Sequence, residues 1–204
     1  MSKYAVLRDL SRPSTREPWA GGGAALEPAE APGAVRIDVH QLTKDEVRSV
    51  ARDPEVRAIA PVMPTRLIEP FDVEPAAAAT TAWGITAVGA DTSTRTGAGV
   101  TVSVLDTGID SIHPAFTGVT LAEEDFSGSG NGDKQGHGTH CAGTIFGRDV
   151  DSTRIGVAPG VTTALIGKVL GDNGSGDSQG LFRGIQWAVD QGAHVISMSL
   201  GFDF

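Results

Sequence analysis

The chain has a single cysteine, Cys141, in 204 residues. No internal disulfide framework can hold it, so its stability must come from packing. It has no apolar run of the roughly 18 residues that a membrane-spanning helix needs. The stretch from Met1 to Leu10 has no long apolar segment. No secretory leader is therefore visible, which points to the cytoplasm, or to secretion if the true start lies upstream. Positive charge is also scarce. Sixteen Lys and Arg stand against 25 Asp and Glu, a net charge of −9, which argues against a nucleic-acid partner. Nothing suggests a membrane partner either.

What remains is the composition of a folded enzyme. With 40% hydrophobic and 20% charged residues, the chain can hold a core and two domains. Its 27 glycines suit a loop-rich α/β protein. Charge is uneven: residues 1–80 carry 10 basic and 12 acidic side chains, residues 81–204 carry 6 and 13. Between the two lies Pro75-Ala-Ala-Ala-Ala-Thr-Thr-Ala82, a run of small residues with little to bury, which reads as a linker. This predicts a first domain over 1–75, a linker over 76–82 and a second domain over 83–204.

The first segment reads as strand, helix and strand. Tyr4 to Leu7 suits a strand, and residues 11–33, rich in Gly, Pro and Ala, suit a loop. Val35 to Val39 alternates as a strand should. Thr43, three residues before Glu46, begins a helix with a capping box. Val47, Val50 and Ala51 recur at helical spacing, Asp53-Pro54 ends the helix, and Val56 to Leu67 is extended again.

Two segments of the second domain carry chemistry. Val102-Ser-Val-Leu-Asp106-Thr-Gly108 is an apolar strand that delivers a carboxylate at its C-terminal tip. Gly108 permits a sharp exit there. Gly136-His137-Gly138-Thr-His140-Cys141-Ala-Gly-Thr144 is a Gly-rich turn that delivers an imidazole at the start of a helix. A serine hydroxyl is a poor nucleophile near neutral pH and needs a base beside it. Histidine supplies that base, and a buried carboxylate fixes its tautomer. Taken singly, each segment has other readings. Asp-Thr-Gly also occurs in aspartic proteases and ordinary turns, and His-x-x-His can be a metal pair.

In combination, Asp106-Thr-Gly-Ile-Asp110 with His113-Pro114, then His137-Gly-Thr-His-Cys-Ala-Gly-Thr144, resembles the subtilisin-like serine proteases, the subtilases. The cysteine form of the His motif is similar to the proteinase K branch. Gly156-Val-Ala-Pro159, Lys168 to Gly176, Gly184 to Ala188 and Val195 to Gly201 extend the resemblance over residues 83–201. The resemblance implies that Asp106 orients His137, the general base, and that His140 packs structurally in the same helix. It implies substrate-binding walls at Leu170, Gly174, Ser175 and Gly176 on one side and Ser199, Leu200 and Gly201 on the other. The implied fold is α/β, an incomplete doubly wound, mainly parallel sheet preceded by a small α+β domain resembling subtilase propeptides. Such a propeptide is an intramolecular partner whose C-terminal tail lies along the active site.

The departures bear on activity. The family's Gly-Thr-Ser-Met-Ala nucleophile motif does not occur in this sequence, and no oxyanion-hole Asn is matched. Ser175, Ser197 and Ser199 are serines by type alone. A chain lacking both groups should not catalyse acyl transfer at enzymatic rates. The expectation is the Asp–His portion of an endopeptidase acting on peptide or protein substrates, inactive alone. The alternative is a non-catalytic relative that binds peptides or inhibits a protease. Calcium is a candidate cofactor by resemblance, with no metal residue assigned. Asp125 to Asp133 mimics alternating calcium ligands but lacks the terminal Glu, and reads as a plain loop. Strands are expected over Val100–Leu105, Ala164–Leu170 and Val195–Met198, all buried, with a helix over residues 180–191.

Overall fold

The computed structural model describes residues 1–11, 35–68 and 80–202. Most of the loop expected over 11–33, and residues 76–79 of the linker expected over 76–82, lie outside the described residues. The chain divides into two units, Met1–Val62 and Met63–Phe204.

The first unit is a three-stranded antiparallel sheet with one helix. Strand β1 (Ser2–Asp9) lies between β2 (Val35–Leu42) and β3 (Val56–Pro61). Ala5 and Val6, on this central strand, are its buried apolar residues. Helix α1 (Lys44–Val50) starts as its sequence predicts: Thr43 Oγ1 accepts the Glu46 N–H, and the Glu46 carboxylate accepts the Thr43 N–H. This box satisfies two amides that the first turn leaves without intrahelical partners. Arg8 Nη1 reaches Asp53 at 2.9 Å and ties the central strand to the turn after the helix.

The extended run expected over 56–67 is broken in two. Strand β4 (Pro64–Leu67) belongs to the second unit. There it sits in a small antiparallel sheet between β8 (Ser175–Asp177) and β10 (Leu200–Phe202).

A parallel sheet forms the body of the second unit. After the short helix α2 (Trp83–Ala87) come β5 (Thr101–Asp106), β6 (Thr120–Asp125), α3 (His137–Phe146), β7 (Thr163–Lys168), α4 (Ser178–Asp190) and β9 (Val195–Ser197). The sheet order is β6-β7-β5-β9, every pair parallel. Side chains alternate across β5 with the period of two that strands impose. Val102 and Val104 pack with Ala142 and Phe146 of α3. Leu105 packs with Leu181 and Ile185 of α4. The two helices therefore cover opposite faces, and β5 is buried between them.

Two expectations need correction. The Val195–Met198 run is a strand, but it lies at the sheet edge: Val195 is 52% and Met198 46% exposed. Pairing on one side only leaves its residues open. Strand β6 was not anticipated. Its Glu123-Glu124-Asp125 run has poor strand propensity, and acidic side chains are tolerated here because β6 is the opposite edge. The expected helix over 180–191 forms from Ser178 to Asp190, started two residues early by Asp177, whose Oδ1 accepts the Gly180 N–H at 2.8 Å.

Candidate active site

Asp106 is the last residue of β5, at the C-terminal edge of the sheet, and its side chain is 1% exposed. His137 is the first residue of α3. Its Nδ1 stands 2.9 Å from Asp106 Oδ1 and 3.0 Å from Oδ2. The Thr107 N–H donates to Asp106 Oδ1 at 2.7 Å. With Nδ1 engaged by the carboxylate, Nε2 is the atom left to face a reacting group. Among the described residues no serine hydroxyl bonds this ring; its other neighbour is Cys141 Sγ, 3.6 Å from Nδ1 and 3.8 Å from Nε2.

Glycine makes the approach of the two segments possible. Gly108 has φ +103° and lies against the Gly132 carbonyl; Gly138 lies against the Gly108 carbonyl. A Cβ at either position would collide with backbone. The turn after β5 can thus press directly on the first turn of α3.

Polar contacts then lock that turn. Thr107 Oγ1 accepts the Gly138 N–H at 2.9 Å and donates to Asp133 Oδ1 at 2.9 Å. Asp133 also accepts from the Gln135 and Gly136 amides and from both the amide and the hydroxyl of Thr139. Burial disfavours its charge, but these donors outweigh burial and hold the carboxyl below its ordinary value. Gln135 Oε1 accepts the His137 N–H at 3.0 Å. The free amides of His137, Gly138 and Thr139 at the start of α3 are thereby satisfied by side chains of the loop before it and of the turn after β5.

Lys168, the last residue of β7, is 2% exposed. Its ammonium donates to Thr107 O, Gly132 O and Asp172 Oδ1 at 2.8, 2.9 and 2.8 Å. Three oxygens suit the three donors of an ammonium, which is how a buried lysine is tolerated. Asp172 also takes Lys134 at 2.8 Å. Its carboxyl is held low by the hydrogen bond from Lys134 and then by that from Lys168. The Asp106 turn, the loop before α3 and the loop before β8 are joined by this cluster.

The residues assigned to the substrate walls fall into two groups, and β4 lies between them. Gly176 pairs with Thr65, Ser175 with Arg66, Gly201 with Arg66 and Leu200 with Leu67. The Leu67 N–H donates to Gly174 O at 2.9 Å. Leu170 bridges to Gly176 and is fully buried. Ser199 lies in the short connection between β9 and β10. A pocket of about 500 Å³ runs along this region, lined by Arg66, Leu67, Ile68, Gln135, Asn173, Gly174 and Ser175.

His140 differs from expectation. It is exposed and lines an apolar groove of about 670 Å³ with Trp83, Val88 and Val157. Asp133 and Lys168 were not singled out for the site by the sequence reading. A lone lysine inside the apolar run Ala164-Leu-Ile-Gly-Lys-Val-Leu170 was the available signal, as was an acid four residues before His137.

For a cation, Asp106, His137 and Cys141 offer atoms within 4.8 Å of one another. A metal would need the thiolate, and burial followed by the Asp106 charge pushes the thiol upward. In the loop once compared with a calcium site, the Asp125 carboxylate is spent on Ser127, Gly128 and Gly130. That of Asp133 is spent as described above. Both are satisfied as loop-forming acceptors.

Residues 97–203 match the subtilase family. The chain is 36% identical over 164 residues to a thermostable alkaline protease of Halalkalibacterium halodurans, covering 79% of this chain and 42% of that protein. It is 38% identical over 172 residues to alkaline elastase YaB of a Bacillus species, covering 82% and 45%. It is 39% identical over 111 residues to the major intracellular serine protease of Bacillus subtilis, covering 52% and 35%. The chain thus spans less than half the length of these relatives, and it belongs to the subtilase family of serine proteases.

Proposed function

We propose that this chain contributes the Asp106–His137 part of a serine endopeptidase. The observation that carries this reading is the buried Asp106 carboxylate within 3.0 Å of His137 Nδ1. In that role Asp106 fixes the tautomer that presents a basic Nε2 and stabilises the imidazolium formed when a serine gives up its proton. The nucleophile and the oxyanion donors come from outside residues 1–204, which alone do not hydrolyse peptides. Substrates are peptides or proteins, bound in extended form by Leu170, Gly174, Ser175 and Gly176 on one wall and Ser199, Leu200 and Gly201 on the other.

Residues 1–75 act in this proposal as a propeptide-like inhibitory segment. What supports this is β4, which occupies the strand position between β8 and β10 that a substrate would take. Backbone pairing to exposed strand edges is a recurrent way of binding peptides. The segment competes with substrate until it is removed.

The test compares residues 1–204 alone with the same chain extended by a subtilase C-terminal half bearing the Gly-Thr-Ser-Met-Ala motif. Peptide hydrolysis and labelling by a serine-directed phosphonate are expected from the extended chain only. Hydrolysis by residues 1–204 alone would overturn the division of roles.

A further inference from the structure

Two successive carbonyls of the turn that carries Asp106 are held by the end of β7. The Asp106 carbonyl accepts the Val169 and Leu170 amides at 2.9 and 3.1 Å. The Thr107 carbonyl accepts the Lys168 ammonium at 2.8 Å. The first contact is made by backbone and needs no particular side chain. The second needs a cation. Lys168 brings the Thr107 and Gly132 carbonyls to one nitrogen, at 2.8 and 2.9 Å. Two carbonyl oxygens aimed at the same place repel unless a positive charge lies between them. The peptide that bears the Thr107 carbonyl leads into Gly108, whose φ is +103°. Glycine reaches φ of either sign at little cost, so residue 108 itself does not resist rotation of this peptide.

Thr107 is the residue through which such a rotation reaches the Asp–His pair. Its N–H donates to Asp106 Oδ1 at 2.7 Å. Its hydroxyl oxygen accepts the Gly138 N–H at 2.9 Å, one residue past His137. The Lys168 side chain is 2% exposed, and a buried charge persists only where it is paired. Its carboxylate partner is Asp172, whose Oδ1 lies 2.8 Å away. Asp172 stands in the turn where the Gly174 N–H donates to Gly171 O, and Gly174 O accepts the Leu67 amide of β4. The counter-charge of the cation under the Asp106 turn is therefore carried by a substrate wall. Yet the pocket beside β4 is lined by Asn173, Gly174 and Ser175 and not by Asp172, whose carboxylate is turned to Lys168 and Lys134.

We propose that Lys168 and Asp172 are positioning residues for the Asp106–His137 relay. The Asp172 carboxylate keeps the Lys168 ammonium charged in the interior, and the ammonium fixes the Thr107 carbonyl, so that Asp106 and the first turn of α3 stay in register. This deepens the reading of the pair as a catalytic relay and rests on it. It also separates Asp172 from its neighbours Asn173 to Ser175. A residue that shapes a substrate wall acts on KM, whereas one that acts through the relay acts on kcat.

Hydrogen exchange on the 204-residue chain tests the positioning without any appeal to hydrolysis. The Gly138 amide is the probe, because its acceptor is Thr107 Oγ1. Lys168→Met removes the charge at similar side-chain length. Asp172→Asn removes the counter-charge and keeps an oxygen in place. Both should raise exchange at Gly138 by about tenfold or more, while the amides of Ala142 to Phe146, in the later turns of the same helix, stay unchanged. Lys134→Ala removes only the contact on the exposed side of Asp172 and should leave Gly138 as in wild type. Should Lys168→Met not fold, Asp172→Asn decides the matter, since that side chain is 34% exposed. Unchanged Gly138 exchange in Asp172→Asn would overturn the proposal, as would a rise spread evenly over α3. A rise in Lys134→Ala equal to that in Asp172→Asn would move the effect off Lys168 and overturn the assignment. In the chain extended by a nucleophile-bearing C-terminal half, Asp172→Asn should lower kcat about tenfold and change KM by less than about twofold. A raised KM with kcat intact would make Asp172 part of the wall and end its positioning role. An extended wild-type chain that hydrolyses nothing would instead overturn the relay reading beneath it, and the Gly138 result would still decide the positioning.

Discussion

Thr107 and Asp133 meet at 2.9 Å, a direct side-chain hydrogen bond between the turn carrying Asp106 and the loop that starts the His137 helix. Asp133 accepts five hydrogen bonds, from Thr107, Gln135, Gly136 and twice from Thr139. An amide in its place offers one acceptor oxygen. In the nucleophile-bearing protein, Asp133→Asn is expected to lower stability by about 1–3 kcal/mol, the cost of leaving partly buried donors unpaired. Denaturant titration measures this. A change below about 0.5 kcal/mol would show that water replaces the carboxylate.

The same residue sets a pH dependence. The Asp133 carboxyl lies below its ordinary value of 3.8 in the folded protein. A group depressed by folding adds stability that is complete above the unfolded value and is lost as pH falls through the folded one. The stability gap between wild type and Asp133→Asn should therefore shrink as pH falls from about 5 to about 3. A gap that stays constant over that range would mean the carboxyl is not selectively stabilised as the anion.

Much of the site could be read in the sequence, and the reasons are physical. Asp106 ends an apolar run that only a buried strand explains, and His137 stands between glycines that a close backbone approach requires. Both positions are fixed by local pattern. Lys168 and Asp133 escaped because their roles depend on where remote carbonyls and amides converge, which no spacing reveals. Strand β6 escaped because its acidic residues suit an edge, and edge status is a property of the assembled sheet. The capping box at Thr43 was legible because both its partners lie within three residues. His140 was misjudged as packed because the motif names it without saying which side of α3 it faces.

Residues 1–204 alone should self-associate. Trp83 is 77% exposed, Val88 67%, Val189 57% and Val195 52%. The groove of about 670 Å³ along α2 and α3 is lined largely by apolar side chains. Apolar surface of this kind drives association. Sedimentation velocity should show oligomers or broad distributions, with a shallow thermal transition. A monodisperse monomer with a sharp cooperative transition would contradict this.

Cys141 should make the assembled protease sensitive to small mercurials although its nucleophile is serine. Its Sγ lies 3.6 Å from His137 Nδ1, so an adduct would displace the imidazole. Misplacing a catalytic group by about 1 Å can cost on the order of a hundredfold in rate. Burial and the Asp106 charge hold the thiol up, so iodoacetamide, which needs the thiolate, should act slowly near neutral pH. Cys141→Ala should keep most activity and lose the mercurial effect. Equal inhibition of wild type and Cys141→Ala would place the reagent elsewhere.

The central claim is that the Asp106–His137 contact is a catalytic relay, and kcat/KM for peptide hydrolysis tests it most directly. In the chain extended by a nucleophile-bearing C-terminal half, His137→Ala and Asp106→Asn should each lower kcat/KM by roughly three or more orders of magnitude, with KM little changed. The fold should be retained, as shown by an unaltered exchange pattern in β5 and β7. Hydrolysis that survives His137→Ala at the wild-type rate would contradict the account.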